Sequence, residues 1–316
     1  MVGDEIRTGG GPAELTAAEL APAERVPAEL TAAELAPAER VPAELASAQL
    51  AAGLRAGYDA AAGEGADGPG LMYAQLARVL VAAAPVPLAG RLVLDLGAGA
   101  GVAGRAALAA GARHVVGADL SEGMLRHSGD ALAAAGYPVA ADAVALPFRD
   151  ASFDLVVAAF CLNHLSSLAA GLAEARRVGA AIAASLFAPG WTHPAKDAVD
   201  EAARSFGYRA PGWYTALAPG SRASDPQVLA EGAAAAGFTR VRARTTDVQT
   251  GLTTPAELVS WRLGMAHFAP FMRSLSAPDR AAVRRAAEQA VAGVASEAGA
   301  GPMMPLVVSM TMLTAS

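Results

Sequence analysis

The stretch from Arg91 to Gly104, Arg-Leu-Val-Leu-Asp-Leu-Gly-Ala-Gly-Ala-Gly-Val-Ala-Gly, constrains the fold more than any other part of the chain. Leu92 to Leu96 is an apolar run broken only by Asp95, the pattern of a buried parallel strand ending at its carboxyl edge. Gly97, Gly99 and Gly101 let the backbone turn sharply and come close to a ligand. The pattern then predicts a helix over 102–110, whose first turn offers free N–H groups and a partial positive charge. Strand, glycine loop and helix together make a site for a nucleotide-type ligand. The loop alone does not say which one. Gly99-x-Gly101-x-x-Gly104 satisfies the dinucleotide pattern as literally as Gly97-x-Gly99-x-Gly101 satisfies the S-adenosylmethionine pattern.

The flanking segments narrow the choice. A second strand over 114–119 ends in Asp119, about twenty residues past the glycines, where an acid can accept both hydrogen bonds of a ribose diol. Ser121 is placed to cap a helix over 122–135, with Glu122 in its first turn. A third strand over 138–142 ends in Asp142, an acid able to accept from the exocyclic amine of a purine. Further strands are predicted over 155–160, 182–187, 239–246 and 306–313. In 239–246, Val241 and Ala243 share one face, with Arg240, Arg242 and Arg244 on the other. Helices are predicted over 48–61, 71–84, 228–237, 281–292 and 255–268, the last ended by Pro270. Tyr58 and Tyr73 fall in the first two of these and read as packing residues. The segment 188–224 carries Trp191, His193, Lys196, Tyr208, Trp213 and Tyr214, a substrate wall or a small satellite core.

Composition removes several classes of function. A formal charge of −6 argues against a nucleic-acid substrate held through its phosphates. The single cysteine, Cys161, excludes an internal disulfide framework, and no Cys or His cluster has metal-ligand spacing. Thr192 lies four residues before Lys196, the only lysine, so the Tyr-x-x-x-Lys pair of one dehydrogenase type is missing. There is no Ser-His-Asp nucleophile elbow. The N-terminus lacks the charge-then-apolar pattern of a signal peptide, and the uncharged stretch over 155–173 is broken by Asn163, His164, Ser166 and Ser167. The expected setting is the cytoplasm, with no integral membrane segment; the oligomeric state stays open. Residues 12–26 and 27–41 are identical fifteen-residue repeats, interrupted by prolines and poor in large apolar side chains. They predict a disordered low-complexity tail over 1–47, or a partner-binding arm, ahead of a domain over 48–316.

Val93-Leu-Asp-Leu-Gly-Ala-Gly-Ala-Gly101, Gly117-Ala-Asp-Leu-Ser-Glu-Gly-Met-Leu125 and Asp142…Leu146-Pro-Phe-Arg-Asp-Ala-Ser-Phe-Asp154 follow one another at a telling spacing. Together they resemble the class I S-adenosylmethionine-dependent methyltransferases, in particular the branch of the ubiquinone and menaquinone C-methyltransferases. The resemblance covers roughly 91–165 and continues in arrangement only. It implies a Rossmann-like α/β fold: a seven-stranded sheet, six strands parallel and the last antiparallel, helices on both faces, and a helical lid from inserts at about 188–224 and 253–300. It also implies that Asp95, Gly97 and Gly99, with Ala98 between them, surround the methionine end of S-adenosylmethionine. Asp119 would hold the ribose, Leu120 and Met124 would lie near the adenine face, and Asp142 with the Ala143 backbone would read the adenine edge. Phe160 matches a backbone contact to the methionine amino group. His164 matches a histidine beside the transferred methyl, and is the first candidate for a base or substrate anchor; His193 and Tyr214 are the others. The usual Pro-Gly-Gly turn before the fifth strand is replaced by Arg176-Arg-Val-Gly-Ala-Ala-Ile182. The acceptor would be a small, apolar or aromatic molecule methylated at oxygen, carbon or nitrogen. A non-catalytic S-adenosylmethionine-binding or interaction protein, and an NAD-dependent oxidoreductase, are the rival readings.

Overall fold

A computed structural model of the chain describes residues 45–62, 68–132, 136–216, 222–297 and 303–316. The fifteen-residue repeats lie outside the described residues. Seven strands, β1 (Leu92–Leu96), β2 (His114–Asp119), β3 (Gly136–Ala140), β4 (Leu155–Ala159), β5 (Ile182–Phe187), β6 (Arg242–Gln249) and β7 (Val307–Ala315), form one sheet in the order β3-β2-β1-β4-β5-β7-β6. β1 to β5 pair in parallel, and β7 runs antiparallel to both β5 and β6. The expected arrangement of six strands one way and the last reversed is therefore present. The strand order reverses between β1 and β4, which leaves a crevice at their carboxyl ends.

Alternation along the strands divides the core between the two faces. Val93, Val115 and Val157 join Leu76 and Leu80 of α2 (Pro69–Ala82) and Ala103 and Ala107 of α3 (Val102–Ala109). Leu94, Leu96, Val116 and Val156 join Leu172 of α5 (Leu168–Val178) and Leu229 of α8 (Pro226–Ala235) on the other face. Asp95 shares the face of Val93, so its carboxylate meets the start of α3, where Oδ2 accepts the Gly104 N–H at 2.7 Å. α6 (Pro194–Ser205), α9 (Pro255–Leu263) and α11 (Ala277–Glu297) extend the first core with Val199, Leu258 and Val283. α1 (Leu45–Ala61), α4 (Glu122–Leu132), α7 (Gly212–Ala216) and α10 (Ala269–Ser274) complete the set. Among the described residues no helix is long and apolar enough to cross a membrane.

Three of the differences from the expected elements have a physical reason in the structure. β3 spans Gly136–Ala140 rather than 138–142, because it is an edge strand and tolerates Pro138 in its middle, opposite Gly117. Asp142 therefore lies beyond the strand, in a turn where its Oδ1 accepts the Val144 N–H at 3.1 Å. β6 begins at Arg242 rather than at 239, because Arg240 takes a positive φ of 44° and separates the Thr239–Ser316 pair from the rest of the ladder. The helix expected over 255–268 stops at Leu263. A side chain on Gly264 would meet Pro69 at 2.7 Å, so the chain turns there, and Pro270 starts α10 instead of ending the previous helix.

Candidate active site

β1 ends in the turn that its glycines permit. Gly97, Gly99 and Gly101 have φ of 69°, 53° and 75°, the left-handed region that favours glycine. At Gly97 there is a second reason for glycine, since a Cβ would lie 2.6 Å from both Cβ and Sγ of Cys161. The N–H groups of Gly97 and Ala98 donate to Ala118 O at 2.8 and 3.0 Å, which straps the loop to the end of β2. Asp119 closes the same turn: Oδ2 accepts from Gly99 N at 2.8 Å and Oδ1 from Ser121 N at 2.8 Å. Each oxygen keeps lone-pair capacity for a ligand hydroxyl.

Two carboxyls here are set by burial. Burial raises Asp95 to about 7, against the lowering effect of the Gly104 N–H, and its Oδ1 is enclosed with no partner. Asp119 is raised as well, by burial first, partly offset by the Ser121 and Gly99 amides. An orphaned carboxylate oxygen beneath a glycine loop fits a ligand that brings hydrogen-bond donors or positive charge.

A cavity of about 210 Å³ opens above this turn, lined by every expected cofactor-side residue except Asp95, which lies buried next to it. Gly97, Ala98 and Gly99 form one wall, with Phe160 and His164. Asp119, Leu120, Met124, Asp142 and Ala143 line the side reached by β2 and β3. Phe160, first residue after β4, holds a φ of 55°, a strained value for a side chain this large, fixed by its N–H bond to Ser185 O at 2.8 Å. α1 and α2 add another wall through Leu50, Leu54, Tyr58 and Tyr73, and Gly264, Met265 and Ala266 line the cavity as well. Asp59 fastens α1 over the site by accepting the Ser121 hydroxyl at 2.6 Å and the Gly123 N–H at 2.9 Å. These bonds hold Asp59 below its usual range although desolvation opposes them. Tyr58, Asp59 and Tyr73 lie outside every recognisable motif, and sequence reasoning assigned the two tyrosines to packing.

His164 ends a 3-10 turn, Leu162–His164, with Nε2 3.2 Å from the Tyr58 hydroxyl and 3.4 Å from Asn163 Nδ2. Its Nδ1 is buried without a partner, and burial pushes its pKa down to about 4. Because the folded value lies below the unfolded one, the unfolded chain binds the proton more readily across that window. Stability is thus complete above about pH 6.5 and falls as pH drops toward about 4, by up to about 1.4 kcal/mol per pH unit from this group. His164→Asn is expected to remove that share of the acid slope in urea melts run from about pH 4.5 to 7.5. An unchanged slope would mean that His164 titrates as an exposed histidine does.

A second cavity of about 90 Å³ shares Tyr58, Tyr73, His164 and Met265 with the first. Tyr214 belongs to this one. Its ring stacks on His267 at 3.8 Å and 8°, and its hydroxyl accepts from Arg262 Nη2 at 3.4 Å. His193 lines neither cavity. It is the N-cap of α6, with Nδ1 accepting the Ala195 N–H at 3.3 Å and Nε2 3.3 Å from Pro305 O, so both ring nitrogens serve the fold. The aromatic stripe of 255–268 divides likewise: Leu258 and Phe268 are core, while Trp261 and Met265 also reach a cavity.

Residues 94–181 match the model of a methyltransferase domain. The chain is 47% identical over 106 residues to the demethylmenaquinone methyltransferase of Clavibacter sepedonicus, which covers 33% of this chain and 43% of that protein. It is 41% identical over 93 residues to the demethylmenaquinone methyltransferase of Thermobifida fusca, covering 28% and 39%. The chain thus spans about two fifths of the length of these curated relatives. A solved structure of Haemonchus contortus phosphoethanolamine N-methyltransferase 2 overlaps 76% of this chain and 52% of its own at 16% identity, with a TM-score of 0.46. The glycine loop after β1 and Asp119 at the end of β2 fall inside the domain match, which identifies residues 94–181 as a methyltransferase domain.

Proposed function

We propose that the chain is an S-adenosylmethionine-dependent methyltransferase acting on a small-molecule acceptor. The observation that carries this reading is the single cavity into which the glycine loop, Asp119, Asp142, Phe160 and His164 all converge. In this reading Asp119 holds a ribose diol, Asp142 and Ala143 meet the adenine edge, and Asp95 receives the donors or positive charge that its enclosed Oδ1 lacks. Held by these residues, S-adenosylmethionine would supply an electrophilic methyl group for transfer to the acceptor's electron pair, with the thioether as leaving group.

This chain's residues then position and enclose. Tyr58, Tyr73 and His164 stand in the wall common to both cavities, so a methyl donor on one side can face an acceptor on the other. His164, neutral at pH 7 and weakly basic, serves to orient the acceptor by hydrogen bonding, and any proton lost from the acceptor is one that leaves without a strong base. α1, fastened by Asp59, excludes water from the donor side.

Isothermal titration with S-adenosylmethionine, S-adenosylhomocysteine and NAD tests the reading. Micromolar-range binding of the two sulfur ligands without NAD supports it. Binding of NAD alone would replace it with an oxidoreductase, and binding of none would leave a non-catalytic interaction protein.

A further inference from the structure

The smaller cavity has a composition unlike the rest of the molecule. All three tryptophans of the chain, Trp191, Trp213 and Trp261, line it. Phe187 lines it too, stacked on Trp191 at 5.0 Å and 12°, and the Tyr214–His267 stack forms another part of the wall. Flat aromatic surfaces at this density suit a flat aromatic guest, held by offset and edge contacts. A volume of about 90 Å³ suits one ring better than a fused system.

Charge in this wall has one sign. Lys196 and Arg262 line the cavity and no carboxylate does. Arg262 is paired in two-point fashion, its Nε and Nη2 donating to Asp200 at 2.6 and 2.7 Å. Lys196 is less committed: its Nζ lies 3.9 Å from the same Asp200 and 3.3 Å from Asp197, whose side chain is 64% exposed. It is also the only lysine in the chain, a compact point charge with three donors. A second observation points the same way. The indole N–H of Trp261, a residue of this wall, is buried with no acceptor in the protein. His267 adds no charge, because burial and the neighbouring Arg262 hold it neutral.

We propose that this cavity is the acceptor pocket, and that it takes a single-ring aromatic molecule bearing an anionic oxygen, carboxylate or phenolate, seated toward Lys196. This rests on the methyltransferase reading, which supplies the donor across the shared wall. Among small acceptors, a ring with a negative group is preferred over its neutral analogue, because the cationic wall is desolvated by the aromatics around it.

The tryptophans make the site its own reporter. Benzoate and benzamide are titrated into the full chain saturated with S-adenosylhomocysteine, following tryptophan fluorescence. Benzoate is expected to quench saturably, with benzamide at least about tenfold weaker. Lys196→Gln is expected to lose about tenfold for benzoate and nothing for benzamide, while Lys196→Arg keeps most of the preference. Calorimetric affinity for S-adenosylhomocysteine, measured on the same samples, shows that each variant is folded. Equal binding of benzoate and benzamide, or a benzoate affinity indifferent to Lys196→Gln, overturns the proposal while the methyltransferase reading stands. Benzoate preference in a chain that binds no S-adenosylhomocysteine overturns the methyltransferase reading and, with it, the pocket's role as acceptor site.

Discussion

Asp119→Ala is expected to weaken binding of S-adenosylhomocysteine by about a hundredfold or more, since two charge-assisted hydrogen bonds at about 1.5 kcal/mol or more each are removed. The carboxylate also has structural work in the free protein. Its two oxygens gather the Gly99 and Ser121 amides at 2.8 Å each, so removal frees the glycine loop from the end of β2 at one of its ties. The ties from Gly97 and Ala98 to Ala118 O remain, which keeps the loop in place and confines the effect to the ligand side. Asp119→Asn, which retains one acceptor oxygen, is expected to fall between wild type and alanine. Calorimetric titration of the three proteins decides it, with thermal melts as the control for folding. A loss below about tenfold for alanine would mean that the ribose is held elsewhere and that Asp119 is only a turn-forming residue.

The convergence of the glycine loop and Asp119 on one cavity was legible because its parts are written in short segments. Asp95, Gly97, Gly99 and Asp119 each sit at the end of a strand whose apolar run marks it, and strand ends at a sheet's reversal point converge without further instruction. Tyr58, Asp59 and Tyr73 were not legible. They come from α1 and α2, ahead of the first motif, and reach the cavity only because Asp59 meets Ser121 and Gly123 across more than sixty residues. Nothing in the local pattern marks such a long-range contact. His193 shows the opposite failure: a histidine among aromatics looks like chemistry, yet the following Pro194 already makes it a helix cap. The break at Gly264 was hidden for a related reason, since it answers to Pro69, a residue nearly two hundred positions away.

The largest stability effect is expected from Asp200→Ala, a loss of about 3–5 kcal/mol in urea-melt unfolding free energy. Asp200 on α6 and Arg262 on α9 form a two-point pair at 2.6 and 2.7 Å, with side chains only 12% and 4% exposed. Deleting the acid strands a guanidinium that cannot shed its charge, next to the Phe268 ring at 5.2 Å and the Tyr214 hydroxyl. Neither neighbour replaces a carboxylate. The cost lies in the stranded charge rather than in the strength of the pair, so the double replacement Asp200→Leu with Arg262→Met is expected to recover most of it. A double-mutant cycle separates the two accounts, because contacting residues show coupling that distant ones do not. If Asp200→Ala costs less than about 1 kcal/mol, water reaches Arg262 and the wall beside Trp261 is open to solvent. If the double variant is as unstable as the single one, the pair contributes packing between α6 and α9 that apolar side chains of similar size do not reproduce. Recovery in the double variant would instead show that the pair is kept for the charge it sets beside the aromatic cavity, at a site where an apolar pair would hold the helices equally well.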